Sequence, residues 1–173
     1  MSTGTAVAAV VTLRPAREAD LPQLLALVNG YAARNLLLSR SQASLRTHLH
    51  EFTVAGAGDV VLACGALATL GPGLAEVRTL AVREDAIGRG LGHAIVERLV
   101  AQAEARGFAE VLTLTRRLSF FQALGFVVTR RERFLDKLEA DCRFCPLAAS
   151  CDEVALVKPV RGGGIVKEGE ADS

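Results

Sequence analysis

The chain has 173 residues, half of them hydrophobic, and a formal net charge of +1. This length predicts a single domain with a substantial core, and the near-neutral charge argues against nucleic acid or an anionic membrane as a partner. No apolar stretch reaches the roughly 18 residues of a membrane span, and the N-terminus lacks the basic start of a secretory signal. We therefore expect a cytoplasmic protein.

Hydrophobic spacing in the first half predicts one strand, two helices and three further strands. The segments are a strand at 7–14, a helix from Asp20 to Gly30, a helix after Ser41, and strands at 54–55, 59–70 and 74–82. Asp20 and Gln23 have the spacing of a helix capping box. The segment 36–41 between the helices is more apolar than an ordinary loop, so we expect it to cover core or ligand.

The glycine-rich turn at 71–73 joins the last two strands and predicts an antiparallel hairpin. Alternation along its second arm places Glu76, Arg78, Leu80 and Val82 on one face. This predicted face carries both charged side chains of the arm.

Three glycines at alternate positions, Gly88, Gly90 and Gly92, connect this arm to an amphipathic helix that ends near Gly107. The predicted core stripe of the helix is Leu91, Ala94, Ile95, Leu99 and Ala103. Backbone N–H groups at such a helix start point the same way, and with the helix dipole they can bind a phosphate or pyrophosphate. A tight strand–helix connection without a ligand explains the same pattern, and the common nucleotide-binding fingerprints are absent.

The remaining segments predict a strand at 109–115, a short helix at 119–124 and strands at 126–134 and 153–158. This order predicts a mixed α/β (α+β) fold, with a mostly antiparallel central sheet flanked by helices. Residues 1–158 then form one domain, and 159–173 form a flexible tail.

Two motifs resemble the GNAT superfamily of acyl-CoA N-acyltransferases. Residues 80–94 match its Gln/Arg-x-x-Gly-x-Gly/Ala loop, with Ile87 in place of the Gln or Arg, and 119–126 match its Phe-Tyr-x-x-x-Gly-Phe segment. The resemblance implies splayed fourth and fifth strands and acetyl-CoA as cosubstrate. It implies the following coenzyme-binding residues: Leu80, Ala81, Val82, Ile87, Gly88, Arg89, Gly90, Leu91, Gly92 and His93.

A narrower resemblance, over about residues 9–158, is to the short stand-alone N-acetylglutamate synthases. It rests on Leu-Leu-Ser-Arg-Ser at 37–41, Ala-Glu-Val-Arg-Thr-Leu-Ala-Val at 75–82 and Asp-Cys-Arg-Phe-Cys-Pro at 141–146. It implies acetylation of the α-amine of L-glutamate, the entry step to arginine biosynthesis.

The resemblance implies a distribution of roles among a few residues. Arg40 and Arg78 are the candidates for binding the two carboxylates of glutamate, because guanidinium groups bind carboxylates bidentately. Glu76 either accepts the amine proton or orients Arg78, and the Val82 N–H can polarise the thioester carbonyl. Direct attack is expected, since no serine or cysteine has the context of a nucleophile.

The superfamily's usual acid for the leaving thiolate is a tyrosine, and Phe121 stands at that position. Thr115 or Ser119 could hydrogen-bond the sulfur, although Ser119 is favoured as a helix N-cap. Tyr31, the only tyrosine, is remote in sequence. The thiolate could also leave without a dedicated acid.

Three cysteines form a C-x2-C-x5-C cluster: Cys142, Cys145 and Cys151. Structural zinc, a redox or disulfide pair and plain reduced thiols all fit this spacing, and we assign no metal.

Two other functions also stay open: acetylation of a different amine (a protein N-terminus, a polyamine or a drug) and a non-catalytic acyl-CoA-binding regulatory module. A homodimer is left open as well.

Overall fold

The computed structural model describes residues 9–134, 145 and 151–160. The predicted mixed α/β architecture with a mostly antiparallel sheet is confirmed. In chain order the elements are β1 (Val11–Pro15), α1 (Leu21–Ala32), α2 (Gln42–Thr47), β2 (Phe52–Ala57), β3 (Val60–Gly71), β4 (Leu74–Val82), α3 (Leu91–Ala105), β5 (Glu110–Thr115), α4 (Leu118–Ala123), β6 (Val127–Val128) and β7 (Val154–Pro159). The strand order is β1-β2-β3-β4-β5-β7-β6, and β4 with β5 is the parallel pair.

Apolar side chains pack on both faces of the sheet. One cluster joins α3 and α4 to the sheet and includes Ile95, Leu99 and Phe121; the other joins α1 and α2 and includes Leu24 and Leu45. The predicted stripe of α3 is buried except at Ala94, which is half-buried. The helices therefore hold the sheet between two apolar layers.

The start of α1 differs from its predicted capping box. Asp20 caps no helix N–H with its side chain; its carboxylate binds the Arg14 guanidinium at 2.7 and 2.9 Å and accepts from the Arg17 N–H at 2.8 Å. The hydrogen bond from Arg14 lowers the pKa of the Asp20 carboxyl. Gln23 instead donates to Asp59 O in the β2–β3 turn and accepts from Val61 N on β3.

A bulge in β4 overturns the predicted single face. Cys64 pairs with Ala81 and Ala66 with Arg78, so two β4 residues oppose Gly65 alone. The first of them, Thr79, has φ +56°, a strained value for a β-branched residue. The extra residue inverts the alternation beyond Arg78.

The two halves of β4 therefore face opposite sides of the sheet. Leu80 and Val82 pack with the α3 cluster, whereas Glu76 and Arg78 line a cavity on the other side. Gly65 is required opposite the bulge, because a Cβ there would lie 2.6 Å from Ile95 Cγ2.

The C-terminal segments differ from their predicted lengths. The strand predicted at 126–134 is only β6, followed by a 3-10 turn at Arg131–Phe134. Pro159 belongs to β7, and Val160 is buried and donates its N–H to Ala109 O at 2.9 Å, so these two residues pack with the domain, whereas 161–173 lie outside the described residues. Within the described part of the chain, no helix has the length and apolarity needed to cross a membrane.

Candidate active site

Strands β4 and β5 part near the middle of the sheet. They pair from Leu74↔Glu110 to Glu76↔Leu112 and no further. Thr113 Oγ1 donates to Val77 O at 3.1 Å just beyond the last pair. The predicted splay is therefore present, and it opens a gap between the two strands.

A cavity of about 600 Å³ lies on the α3 side of this gap. Nine of the ten predicted coenzyme-binding residues line it: Leu80, Ala81, Val82, Ile87, Gly88, Gly90, Leu91, Gly92 and His93. Arg89 is exposed, and its guanidinium turns back to Asp85 O at 3.5 Å. Arg89 is therefore the one predicted residue of the loop that does not line this cavity.

The glycine loop has a backbone conformation that favours glycine. Gly88 and Gly90 have φ of +87° and +73°, a region in which other residues are strained. Gly90 is the N-cap of α3 and provides no side chain to cap it, so the first-turn N–H groups of α3 lack an intrahelical acceptor. These donors, the helix dipole and the adjacent Arg117 fit a pyrophosphate.

The end of β4 presents its backbone to the gap. Arg83 N donates to Leu62 O at 2.8 Å, so by antiparallel alternation the Val82 N–H and C=O turn away from β3. Tyr31 Oη donates to Val82 O at 2.5 Å. Sequence reasoning set Tyr31 aside as remote, yet α1 brings it to the cavity of about 600 Å³ that the glycine loop lines. We call this cavity the coenzyme cavity, after the predicted coenzyme-binding residues in its wall.

A second cavity, of about 370 Å³, adjoins the first. Leu36, Leu37, Leu114, Arg116 and Glu153 line both. The apolar segment 36–41 therefore covers the junction of the two cavities, in agreement with its composition.

Charged side chains define the second cavity. Among the residues that the structure describes, four arginines and two glutamates line it: Arg40, Arg78, Arg116, Arg131, Glu76 and Glu153. The structure thus brings together the three predicted acceptor-site residues Arg40, Glu76 and Arg78. Guanidinium groups outnumber carboxylates among these lining residues, which favours an acceptor with more than one negative charge.

Glu76 and Arg78 form a cluster with Glu51, which sequence reasoning missed. Arg78 Nη2 lies 3.4 Å from Glu51 Oε2, and Arg78 Nη1 lies 3.8 Å from Glu76 Oε2. Glu76 is 7% exposed. The two carboxylates hold the Arg78 guanidinium at the cavity wall.

Sequence reasoning gave no role to Arg116, Arg131 or Glu153, which lie just after β5, in the 3-10 turn after β6 and just before β7. Burial raises the pKa of the Glu153 carboxyl, against the opposing charges of Arg116 and Arg131. Arg116 pairs with the exposed Asp152 and donates to Asn35 O. Only the folded chain brings these groups to one wall.

The cysteines are only partly described. Cys145 and Cys151 line the second cavity, and Arg131 Nη1 lies 3.3 Å from Cys151 Sγ. Cys142 lies outside the described residues, within which no group of three potential metal ligands is found. Burial raises the pKa of the Cys64 thiol to about 12, which agrees with packing as its role.

Comparison with known proteins identifies the family. Residues 17–126 match the family model of the acetyltransferase (GNAT) family. An uncharacterized N-acetyltransferase of Chlorobaculum tepidum is 36% identical over 151 residues, covering 87% of this chain and 97% of that protein. This chain belongs to the GNAT acetyltransferase family. It is therefore an acetyltransferase, with acetyl-CoA as cosubstrate.

A named relative and a solved structure also resemble the acetyltransferase. The amino-acid acetyltransferase of Mycobacterium tuberculosis is 39% identical over 117 residues, covering 66% of this chain and 67% of that protein. The crystal structure of Rv2747 from the same organism, in complex with CoA and NLQ, has a TM-score of 0.76 and 29% identity. It covers 87% of this chain and 99% of that one.

The two hydroxyls predicted near the thiol end of the coenzyme have different positions. Thr115 is buried, lines the coenzyme cavity and accepts from Arg117 N with its Oγ1 at 2.9 Å. Ser119 is exposed, lines neither cavity and is not the N-cap, since α4 begins at Leu118 after Arg117. The interpretation of Ser119 as a cap is therefore wrong. Phe121 lies at the cavity wall, where it can donate no proton.

We expect the glycine loop to act through its backbone. Changing Gly90 to valine should lower affinity for acetyl-CoA about 10- to 100-fold, because φ +73° strains the new residue and its side chain crowds the N–H donors. Changing Arg89 to alanine should alter it less than about threefold. Calorimetric titration with acetyl-CoA measures both values.

Gly92→Ala separates ligand contact from backbone strain. Gly92 has no positive φ, and a Cβ there would meet Phe120 and Val82 at ordinary distances of 3.5 and 3.6 Å. The variant should keep its thermal stability and still bind acetyl-CoA more weakly than Arg89→Ala. If Arg89→Ala is the most damaging of the three, the loop does not bind through its backbone.

Proposed function

We propose that the acetyltransferase transfers the acetyl group of acetyl-CoA to the α-amine of L-glutamate. The observation that carries the proposal is the second cavity, whose described lining has four arginines against two glutamates. Glutamate has two carboxylates and one ammonium group, so its negative groups outnumber its positive group in the same two-to-one ratio by which arginines outnumber glutamates in the lining. A polyamine or another cationic acceptor would require the opposite balance of charge.

Arg40 and Arg78 bind the acceptor carboxylates in this proposal. Arg40 lies on the segment between α1 and α2, and Arg78 lies on β4, so the two guanidinium groups reach the cavity from different elements. Two separated guanidinium groups select for two carboxylates at a fixed spacing. The name of the M. tuberculosis relative, an amino-acid acetyltransferase, supports an amino acid as acceptor.

The proposed reaction is a direct attack. The neutral amine forms a bond to the thioester carbonyl carbon while Glu76 accepts the amine proton, directly or through a water molecule. The Val82 N–H donates to the carbonyl oxygen as it becomes negative. The C–S bond then breaks, the electron pair leaves with the coenzyme A thiolate, and N-acetyl-L-glutamate is released.

Thr115 is a candidate donor to the leaving thiolate. Thr115 accepts from Arg117 N, which leaves its own O–H available to the sulfur. The pyrophosphate of the coenzyme is assigned to the backbone of 88–92, with His93 and Ile87 at the cavity wall. The product, N-acetylglutamate, is the entry metabolite of arginine biosynthesis, in which we place the enzyme.

Initial rates with a panel of acceptors test the proposal. L-Glutamate should exceed L-glutamine in kcat/KM by about 10- to 100-fold, because glutamine keeps the shape but loses one charge-assisted contact. Putrescine should not be acetylated at a measurable rate. Equal rates for glutamate and its uncharged or cationic competitors would rule out glutamate as the preferred acceptor.

A further inference from the structure

The last turn of α1 holds the backbone of Arg40. Asn29 Oδ1 accepts from Arg40 N at 3.0 Å, and Asn29 Nδ2 donates to Arg40 O at 3.0 Å. One amide side chain of α1 thus binds both backbone polar groups of a residue in the segment between α1 and α2. Because Arg40 lines the second cavity, to which the proposed function assigns the acceptor, this pair of bonds fixes the backbone position from which its side chain extends.

The same turn also contacts the coenzyme side. Tyr31, two residues after Asn29, donates to Val82 O. Residues two apart on a helix are separated by about 200°, so they point to nearly opposite sides. The helix beneath them is fixed to the sheet by Leu21, Leu24 and Val28, each at most 1% exposed.

We propose that Asn29 is a positioning residue for the acceptor, which places the Arg40 guanidinium relative to the end of β4. This inference rests on the proposed function. Two hydrogen bonds to one backbone unit restrict its φ and ψ far more than one bond to a flexible side chain does. Arg40 therefore loses less conformational entropy when the acceptor binds.

The test compares Asn29→Ala with Gln23→Ala. Gln23 lies on the same helix and uses its amide in the same way, donating to Asp59 O at 2.7 Å and accepting from Val61 N at 2.8 Å, but it lines neither substrate cavity. Asn29→Ala should raise KM for glutamate about tenfold and change kcat less than about twofold. Gln23→Ala should leave KM unchanged. Asn29→Asp, which keeps the acceptor and loses the donor, should raise KM by an intermediate factor.

Amide hydrogen exchange gives a readout that does not depend on the acceptor. Asn29→Ala should accelerate exchange in peptides covering 36–41, and Gln23→Ala should not. Faster exchange with an unchanged KM, or an equal KM rise in Gln23→Ala, overturns the positioning role. If the wild type does not acetylate glutamate, the proposed function fails alone. The KM comparison then decides the role of Asn29 with the acceptor that the enzyme does use.

Discussion

Glu76→Gln should lower kcat about 100- to 10,000-fold, the effect expected when a general base is removed. Glutamine keeps the size and the cavity position of Glu76 but cannot accept the amine proton. KM for acetyl-CoA should stay within about twofold, since Glu76 lines the acceptor cavity and not the coenzyme cavity. Steady-state rates across pH measure the effect. The acidic limb of the profile should move to higher pH in the variant, because its rate then follows the fraction of free amine, and the deficit should therefore shrink as pH rises.

Glu51→Gln is the matched control for the competing role of Glu76. Both carboxylates lie near the Arg78 guanidinium, at 3.4 Å for Glu51 and 3.8 Å for Glu76, but Glu51 lines neither cavity. If Glu76 merely orients Arg78, both variants should raise KM for the acceptor with kcat retained. A large kcat loss confined to Glu76→Gln identifies the base.

Arg78→Gln should lower kcat/KM for glutamate about 100-fold, because it removes the half-buried guanidinium that we propose binds an acceptor carboxylate bidentately. Arg78→Lys keeps the charge but not the planar fork, so it should recover only part of the loss. Rates with glutamate and with glutamine, together with KM for acetyl-CoA, separate a binding defect from misfolding. KM for acetyl-CoA should be unchanged in both variants.

The preference for glutamate over glutamine tests the role of Arg78 more specifically than the loss of kcat/KM does. If Arg78 binds the side-chain carboxylate, Arg78→Gln should reduce the ratio of glutamate to glutamine turnover. Arg46→Ala is the control: Arg46 lies on α2, pairs with Glu18 at 2.7 Å and is 54% exposed, and such surface pairs contribute little. A loss in Arg46→Ala comparable to that in Arg78→Gln would remove Arg78 from the acceptor site.

Local patterns gave good predictions wherever one element decides the outcome. The stripe of α3 and its start at a glycine follow from helical periodicity and from residues adjacent in sequence. The glycine positions 88 and 90 follow from the left-handed backbone that the turn requires. These features need no information from distant parts of the chain.

Predictions failed where a distant partner competes for a side chain or a backbone group. Asp20 and Gln23 have the spacing of a capping box, yet Arg14 on β1 and the β2–β3 turn take their polar groups. The strand alternation at Leu80 fails because β3 and β4 pair with a bulge. Neither partner is visible in the local sequence, and each interaction is worth as much as the local one that it replaces.

The sequence by itself determined the glycine loop, the amphipathic α3, the apolar segment 36–41 and the motifs that identify the family. The tertiary structure alone decided that Tyr31 reaches the coenzyme cavity, that Asn29 holds Arg40, and that four arginines share one cavity. The physical reason is the sequence separation between interacting residues. Helix periodicity and turn conformation are set by neighbours within a few residues. A cavity's charge is set by side chains that pack together only after the strands have paired.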